Sequence, residues 1–403
     1  DVYLQTAAFN WGQARFRVRG LDNEYGTTMI NGVSMNKIYD GRPQWSNWGG
    51  LNDGTRNQEF TLGTAPSDYT FGGVLGTQEI NTRASLYRPG TRITVSGANN
   101  SNYNWRTMAT YASGLTEDGW AFVVSGGRRW AVESYNYEGV DYSSNALFAS
   151  VEKKFGDKHS LNFTSIYSQN QRGKNSPNTQ EVNDLKGFQY NSYWGWQDGQ
   201  KRNSRVKTVE EPILMLNHYW KVSNLTNLNT SLTYQTGSVG NSRMDYNGGN
   251  NPDPTYYKNL PSYFLNMHYI PEDPFIVPTP TPDDAQAAIA KQNFLNDGQI
   301  DWARMYHANS VNKKSIYALY EDRVDDDLIT FTSVLDSQIA ENILMNASIS
   351  YKNLKSENYQ LMLDLLGDYT FLDTDTFYIG YGFTPSQSQS DLRNPNRQVG
   401  VGD

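Results

Sequence analysis

The strongest constraint on this chain is a recurring alternation of side-chain character in segments of roughly ten residues. Leu161, Phe163 and Tyr167 alternate with Asn162, Thr164 and Ser168. Leu228, Thr230, Leu232 and Tyr234 alternate with Asn229, Ser231, Thr233 and Gln235. Ile343, Met345, Ala347, Ile349 and Tyr351 alternate with Leu344, Asn346, Ser348 and Ser350. A period of two belongs to strands. One face is apolar with aromatic ends, and the other is mostly Asn, Ser, Thr and Gln. A strand crossing a bilayer needs ~9–11 residues of this kind, with lipid outside and water or protein inside. A sandwich strand is shorter and turns its apolar side to a core.

The pattern predicts strands near 91–98, 105–113, 119–132, 143–155, 159–170, 211–221, 228–238, 328–339 and 343–352. Every second connection is then a tight turn: Gly114 to Asp118, Gly156 to Lys158, Val222 to Asn227 and Ala340 to Asn342. The others are longer, and two are very long, 171–210 and 239–327. Short turns on one rim and long loops on the other characterise outer-membrane barrels, with the short side periplasmic. This parity places Ser315 to Arg323 in an extracellular excursion. Within the longer loop a helix is expected from about Asp283 to Leu295, with Thr281 as its cap, Pro282 at its first position and Ala287, Ile289 and Phe294 packing on the barrel mouth.

Mean hydropathy is −0.69 and no run of ~18 apolar residues exists, which excludes a spanning helix. Barrel strands average out as polar, so a membrane barrel stays open, as does a soluble secreted β protein. There is no cysteine, so stability must come from a core or a closed sheet. A net charge of −8 argues against nucleic acid.

The segment before Ser85 is different. It has short apolar runs that stop near glycines and a Gly-rich, Trp-bearing loop with little contiguous hydrophobic surface. Gly63, Gly72, Gly73 and Gly76 fall where the chain turns sharply or passes close to another backbone. Such a segment suits being held inside something else.

Its motif order resembles the plug domain of TonB-dependent outer-membrane transporters. Val18-Arg19-Gly20 matches the family's Ile-Arg-Gly element, and Ile30-Asn31-Gly32-Val33 matches its Asp-Gly-Val element. Glu59-Phe60-Thr61-Leu62-Gly63 with Pro66, Tyr69, Gly72 and Gly73 matches the third. Gln78-Glu79-Ile80-Asn81-Thr82 matches the last. Asn31 replaces the usual Asp, Phe71-Gly72-Gly73 replaces Tyr-Gly with a small polar residue, and Gln78 and Glu79 replace small apolar residues. The resemblance implies an all-β fold: a transmembrane antiparallel β-barrel of about 22 strands, nine or ten of them here, with an N-terminal plug. The expected division is plug at 1–86 and barrel at 87–403, with further chain expected before Asp1 and after Asp403. The Asn-, Tyr- and Gly-rich style looks like Bacteroidetes members.

The resemblance further implies energy-coupled import of a scarce nutrient across a Gram-negative outer membrane. A small-molecule, peptide or glycan ligand binds the extracellular loops and plug apex, and a TonB-type periplasmic coupling protein displaces the plug. Outer-membrane lipid is a partner, and a surface lipoprotein is one that some relatives use. Arg19 aligns with the family arginine that pairs with barrel-wall carboxylates. Arg15, Arg17, Arg19 and Arg83 are many charges for strands in a buried plug.

No enzyme constellation and no cofactor motif is present. His159, His218, His268 and His307 lack a metal-like spacing, and the run Glu321 to Asp327 reads as a solvated acidic rim more than a calcium loop. Trp45 and Trp48 in the plug, and Tyr190, Tyr193, Trp194 and Trp196 in the first long loop, are candidate ligand contacts or packing residues. Trp120, Trp130, Trp220 and Tyr351 read as membrane-interface aromatics. Two alternatives remain at this point: a secreted all-β carbohydrate-binding or carbohydrate-cleaving protein, and a passive porin or adhesin barrel.

Overall fold

The computed structural model describes residues 17, 20–65, 67–99, 102–265, 282–367, 369–375, 378, 381–384, 387–391 and 393–403. The chain first builds a small sheet from β1 (Thr27–Ile30), β2 (Val33–Ser34), β3 (Gln58–Leu62) and β4 (Gly76–Ile80), in the order β2-β1-β4-β3. β1 and β2 form a hairpin, β1 lies parallel to β4, and β3 is antiparallel to β4. The hairpin turn is Asn31-Gly32, both with positive φ (50° and 80°). That is the backbone a two-residue type I′ turn demands, and Asn reaches it more readily than most residues. Gly76 is needed for a different reason. A Cβ there would lie 2.0 Å from the Thr61 carbonyl oxygen of the partner strand.

The second sheet is a meander of β5 (Gly90–Gly97), β6 (Trp105–Ala112), β7 (Trp120–Ala131), β8 (Tyr142–Phe155) and β9 (His159–Gly173). It continues through β12 (Val206–Glu210), β13 (Ile213–Ser223), β14 (Thr226–Tyr246), β15 (Tyr317–Ala340) and β16 (Ile343–Asp364). β12 and β13 lie end to end, each pairing with both β9 and β14. Glu211-Pro212 interrupts them because Pro212 has no N–H to give a ladder. The wall is therefore nine strands wide, at the nine places the alternation predicts, and every neighbouring pair is antiparallel. β10 (Trp194–Gln197) and β11 (Gln200–Asn203) form a separate hairpin in the long β9–β12 connection.

Alternation sets the two faces. Leu161, Phe163, Leu214, Leu216, Leu232, Ile349 and Tyr351 are exposed, whereas Ser160, Asn162, Thr164, Ser168, Asn217 and Ser231 are buried under the small sheet. Trp120 and Trp130 stand ten residues apart on the outward face of β7. At ~3.3 Å per residue and ~40° tilt this spans ~25 Å of height, the thickness of an outer-membrane apolar band. The small sheet packs on the inward face. Ile30, Val33, Leu51 and Ile80 share a core with Ala121, Phe148, Ile166, Ile213 and Met215 of the wall.

Several expectations need correction. Ser315 to Arg323 is not a loop, because β15 begins at Tyr317 and is paired on both sides along this stretch, to β14 and β16. Backbone pairing carries these strands past the stretch in which apolar and polar side chains alternate. The long connections shrink accordingly, to 174–205 and 247–316. They contain α1 (Gln180–Lys186), α2 (Pro261–Leu265), α3 (Asp284–Asn296) and α4 (Trp302–Asn312). Asp283 caps α3, its carboxylate accepting from the Gln286 N–H at 2.9 Å, and Thr281 lies outside the described residues. α3 packs Phe294 against Val182, Tyr190 and Leu260 of the loop layer, not on the barrel mouth, and Ile289 is exposed.

Candidate functional site

The hairpin tip of the small sheet is bonded directly into the polar face of the wall. The Asn31 carbonyl accepts from Asn229 Nδ2 (3.1 Å), Ser231 Oγ (3.2 Å) and Asn217 Nδ2 (3.4 Å). Its side chain donates to Thr82 Oγ1 (2.7 Å) and Asn217 Oδ1 (3.1 Å) and accepts from the Thr82 N–H. Glu79 Oε1 accepts the Gly32 N–H at 3.0 Å, holding the turn from below. Burial pushes the Glu79 carboxyl from its ordinary 4.5 up to about 8, with Glu59 directly across the ladder adding to it.

Three ion-pair groups tie the small sheet and its connections to the wall; one, Arg92 of β5 with Asp53 (3.3 Å), has an exposed arginine. Arg83 donates to Glu152 Oε1 (2.7 Å) and Ser160 Oγ (3.0 Å), and lies over the Tyr219 ring. Glu152 also accepts the Ser85 N–H. Higher up, buried Lys37 donates to Glu211 and to Asp326 Oδ2 (2.9 Å), and Asn47 donates to the other oxygen of Glu211. Burial opposes charge on Lys37, yet the two carboxylates prevail and hold its ammonium above the ordinary lysine range. The acidic run Glu321 to Asp327 is thus not simply a solvated rim. Asp326 and Glu321 are buried, and Asp326 is a partner of Lys37.

Below these contacts, at the short-turn rim, a chamber of ≈ 480 Å³ separates the small sheet from the wall, between Tyr69, Glu79 and Arg83 on one side and Tyr219, Asn229 and Asp336 on the other. His159 and His218 meet here across neighbouring strands, with ring nitrogens 3.0 Å apart.

On the opposite, long-loop side lies a basic vestibule. Arg172, Lys174, Arg205, Lys207 and Arg243 gather where β9, β12 and β14 rise out of the band. Burial, and then the four neighbouring cations, push the Lys174 amine down to about 8. Lys174 donates to Asn241, Arg243 pairs with Asp322, and the Arg205 guanidinium lies 5.4 Å from the Tyr193 ring.

The candidate residues divide by position. The 3-10 turn Trp45–Trp48 packs against β9 and β12. Trp48 is 7% exposed and in the core, whereas Trp45 is 36% exposed and meets it edge-on. Tyr190 is buried and donates to the Gly298 carbonyl. Tyr193 borders the basic vestibule. Trp194 is 4% exposed beneath Lys201, and Trp196 beside it is 57% exposed. Arg19 and His268 lie outside the described residues. Among the plug-motif residues, Gly20, Gly32, Gly63 and Gly72 have positive φ, Gly73 passes against the Tyr25 carbonyl, and Asn81 accepts the Arg83 N–H. Sequence reasoning missed Lys37, Glu152 and Glu211, and took Asp326 as part of a solvated acidic rim. The acidic run itself was the available signal for Asp326.

No family model matches the chain, and no curated protein matches it. Solved structures do. The siderophore receptor PiuA from Acinetobacter baumannii is similar with a TM-score of 0.52 at 12% identity, over 96% of this chain and 46% of that one. The ferric citrate transporter FecA in its unliganded form gives 0.52 at 9% identity, over 95% and 44%. The ferric-catecholate import receptor Fiu from E. coli K12, in its open form, gives 0.51 at 12%, over 86% and 46%. The chain spans less than half the length of each. The likeness shows the fold, an N-terminal plug enclosed by the wall of an outer-membrane β-barrel.

Proposed function

We propose that the chain is the plug and part of the barrel of a TonB-dependent transporter in a Gram-negative outer membrane, with residues 1–86 as plug and 87–403 as barrel. It imports a scarce anionic nutrient. The basic vestibule above the plug carries this reading: five cations around a polar, partly desolvated mouth favour a negatively charged ligand, and a lysine at about 8 is further protonated by one. The named neighbours include a siderophore receptor and a ferric citrate transporter, so anionic metal chelates are the first ligands to try. Trp45 and Tyr193 have the exposure to touch a ligand between the loops and the plug apex, and Trp196, beside Lys201, one at the outer edge of the loops, with Trp48, Tyr190 and Trp194 packed behind them.

Release follows from the contacts below. The plug meets the wall through hydrogen bonds and a few ion pairs, contacts that water can replace. Local opening therefore costs little compared with unfolding the barrel. A TonB-type coupling protein drawing on the plug would break the Asn31 tip and the Arg83 and Lys37 pairs, with Arg19 as a further plug–wall contact. The Bacteroidetes-like composition makes a surface lipoprotein lid a partner to look for. The exposed apolar band and the filled lumen weigh against a secreted protein and against an open porin.

The test is uptake of ferric citrate and a ferric catecholate by cells lacking their own receptors and expressing the full-length protein. Uptake should stop with an uncoupler and fall at least tenfold in Arg205→Gln/Lys207→Gln, with the folded amount in the membrane unchanged. Uptake that survives the uncoupler, or a neutral ligand carried equally by wild type and variant, would overturn it.

A further inference from the structure

A second pocket lies on the outward face of the wall, away from the lumen. Trp105 of β6 and Trp130 of β7 are register partners and line an open cavity of ≈ 570 Å³. Tyr135 and Glu133 of the β7–β8 connection and Gln189 and Lys201 of the β9–β12 excursion form its sides. These sides are fixed to each other. Gln189 Nε2 donates to the Tyr135 carbonyl (2.8 Å), and Lys201 Nζ donates to Glu133 (2.5 Å). Flat aromatic surface ringed by both donors and acceptors matches a sugar ring, which has an apolar C–H face and a rim of hydroxyls.

Position and charge narrow the occupant. Trp130 marks the outer edge of the apolar band, so the pocket sits at the height of lipid headgroups. Arg128, on the same face two residues nearer the bilayer, is exposed and lies 5.6 Å from the Trp130 ring. It has no carboxylate partner among the described residues. Further toward the bilayer centre, Val124 and Phe122 are exposed on that face.

We propose that this pocket takes the phosphorylated saccharide headgroup of an outer-leaflet glycolipid. A sugar ring stacks on Trp105 and Trp130, a phosphate meets Arg128, and the acyl chains follow Val124 and Phe122. The proposal rests on placement in an outer membrane but not on transport.

Full-length protein, extracted in detergent and stripped of lipid, is titrated with three probes: a bisphosphorylated acylated diglucosamine in mixed micelles, its dephosphorylated form, and the deacylated headgroup. The first should bind saturably. Arg128→Gln should weaken it about tenfold, and wild type should bind the dephosphorylated form no better than Arg128→Gln does. Trp105→Ala should weaken both acylated probes about tenfold. Arg128→Gln removes only an exposed head, so an unchanged melting profile separates lost binding from lost folding. Wild-type affinity in both variants overturns the site. A deacylated headgroup that binds as tightly as the acylated one overturns the lipid source and assigns the pocket to a soluble saccharide. No uptake is measured, so failure here is distinct from failure of the transport reading.

Discussion

Glu79→Gln tests whether the plug is held by a carboxyl that prefers to be neutral. Glu79 is buried, holds the Gly32 N–H, and is raised from 4.5 to about 8. An unfolded glutamate ionises near its ordinary value, so between these limits the unfolded plug binds fewer protons than the folded one. Stability then falls as pH rises. The full span corresponds to roughly 5 kcal/mol, of which roughly 3 kcal/mol falls between pH 5 and pH 8. Glutamine keeps the acceptor for Gly32, has no charge to bury and removes the like-charge neighbour of Glu59. Hydrogen exchange of 27–34 and 76–82 in the full-length protein, corrected for intrinsic rates, reads this directly. Wild-type protection should drop by about two orders of magnitude from pH 5 to pH 8, and the variant should stay level. Equal slopes in the two proteins would refute the argument.

Lys37→Met should loosen the plug by ~3–5 kcal/mol, because it strands Glu211 and Asp326 in the interior, and Lys37→Met/Glu211→Gln/Asp326→Asn should recover most of that. Protease cleavage within 27–80 distinguishes the two. Gly76→Ala places a methyl against the Thr61 carbonyl and forces a strained φ, so β3–β4 protection should vanish while the barrel still shows heat-resistant folding on gels. An anionic ligand should bind about one order of magnitude more weakly at pH 9 than at pH 7 as Lys174 loses its proton near 8, and Lys174→Arg should flatten that profile in a titration series.

The wall was legible because strands with one apolar and one polar face repeat every two residues, and here they do so nine times over. Legibility ended where that alternation ends. The upper part of β15, from Tyr317 to Arg323, has the composition of a strand but was assigned to an excursion by turn parity, and the upper part of β14, from Arg243 to Tyr246, was too short and mixed to extend the pattern. The plug motifs located the Asn31-Gly32 turn and the close-packed glycines, because backbone geometry restricts which residues fit. The partners of the plug were not legible. Lys37 meets side chains 174 and 289 residues away, and an inward carboxylate on a barrel strand looks like any other polar position. Arg19, to which the resemblance assigned a pairing with the wall, lies outside the described residues; among these, Arg83, Lys37 and Asp53 pair with wall residues, and the charge of Arg83 stood out while its partner Glu152 did not. The vestibule escaped notice because its cations come from separate strands and a loop, and the basic stretch Lys201 to Lys207 shows no sign in the sequence of the partners it meets from β9 and β14.

The parallel alignment of β1 and β4 has a mechanical consequence. Traction drawn through the chain ahead of Thr27, and resisted where Thr82 and Arg83 grip the wall, drags β1 toward its start and β4 toward its end. The four rungs from Thr27–Thr77 to Ile30–Ile80 are then sheared together and cannot peel one by one. Such a junction stays rigid under weak tugs and gives way all at once under a sustained one.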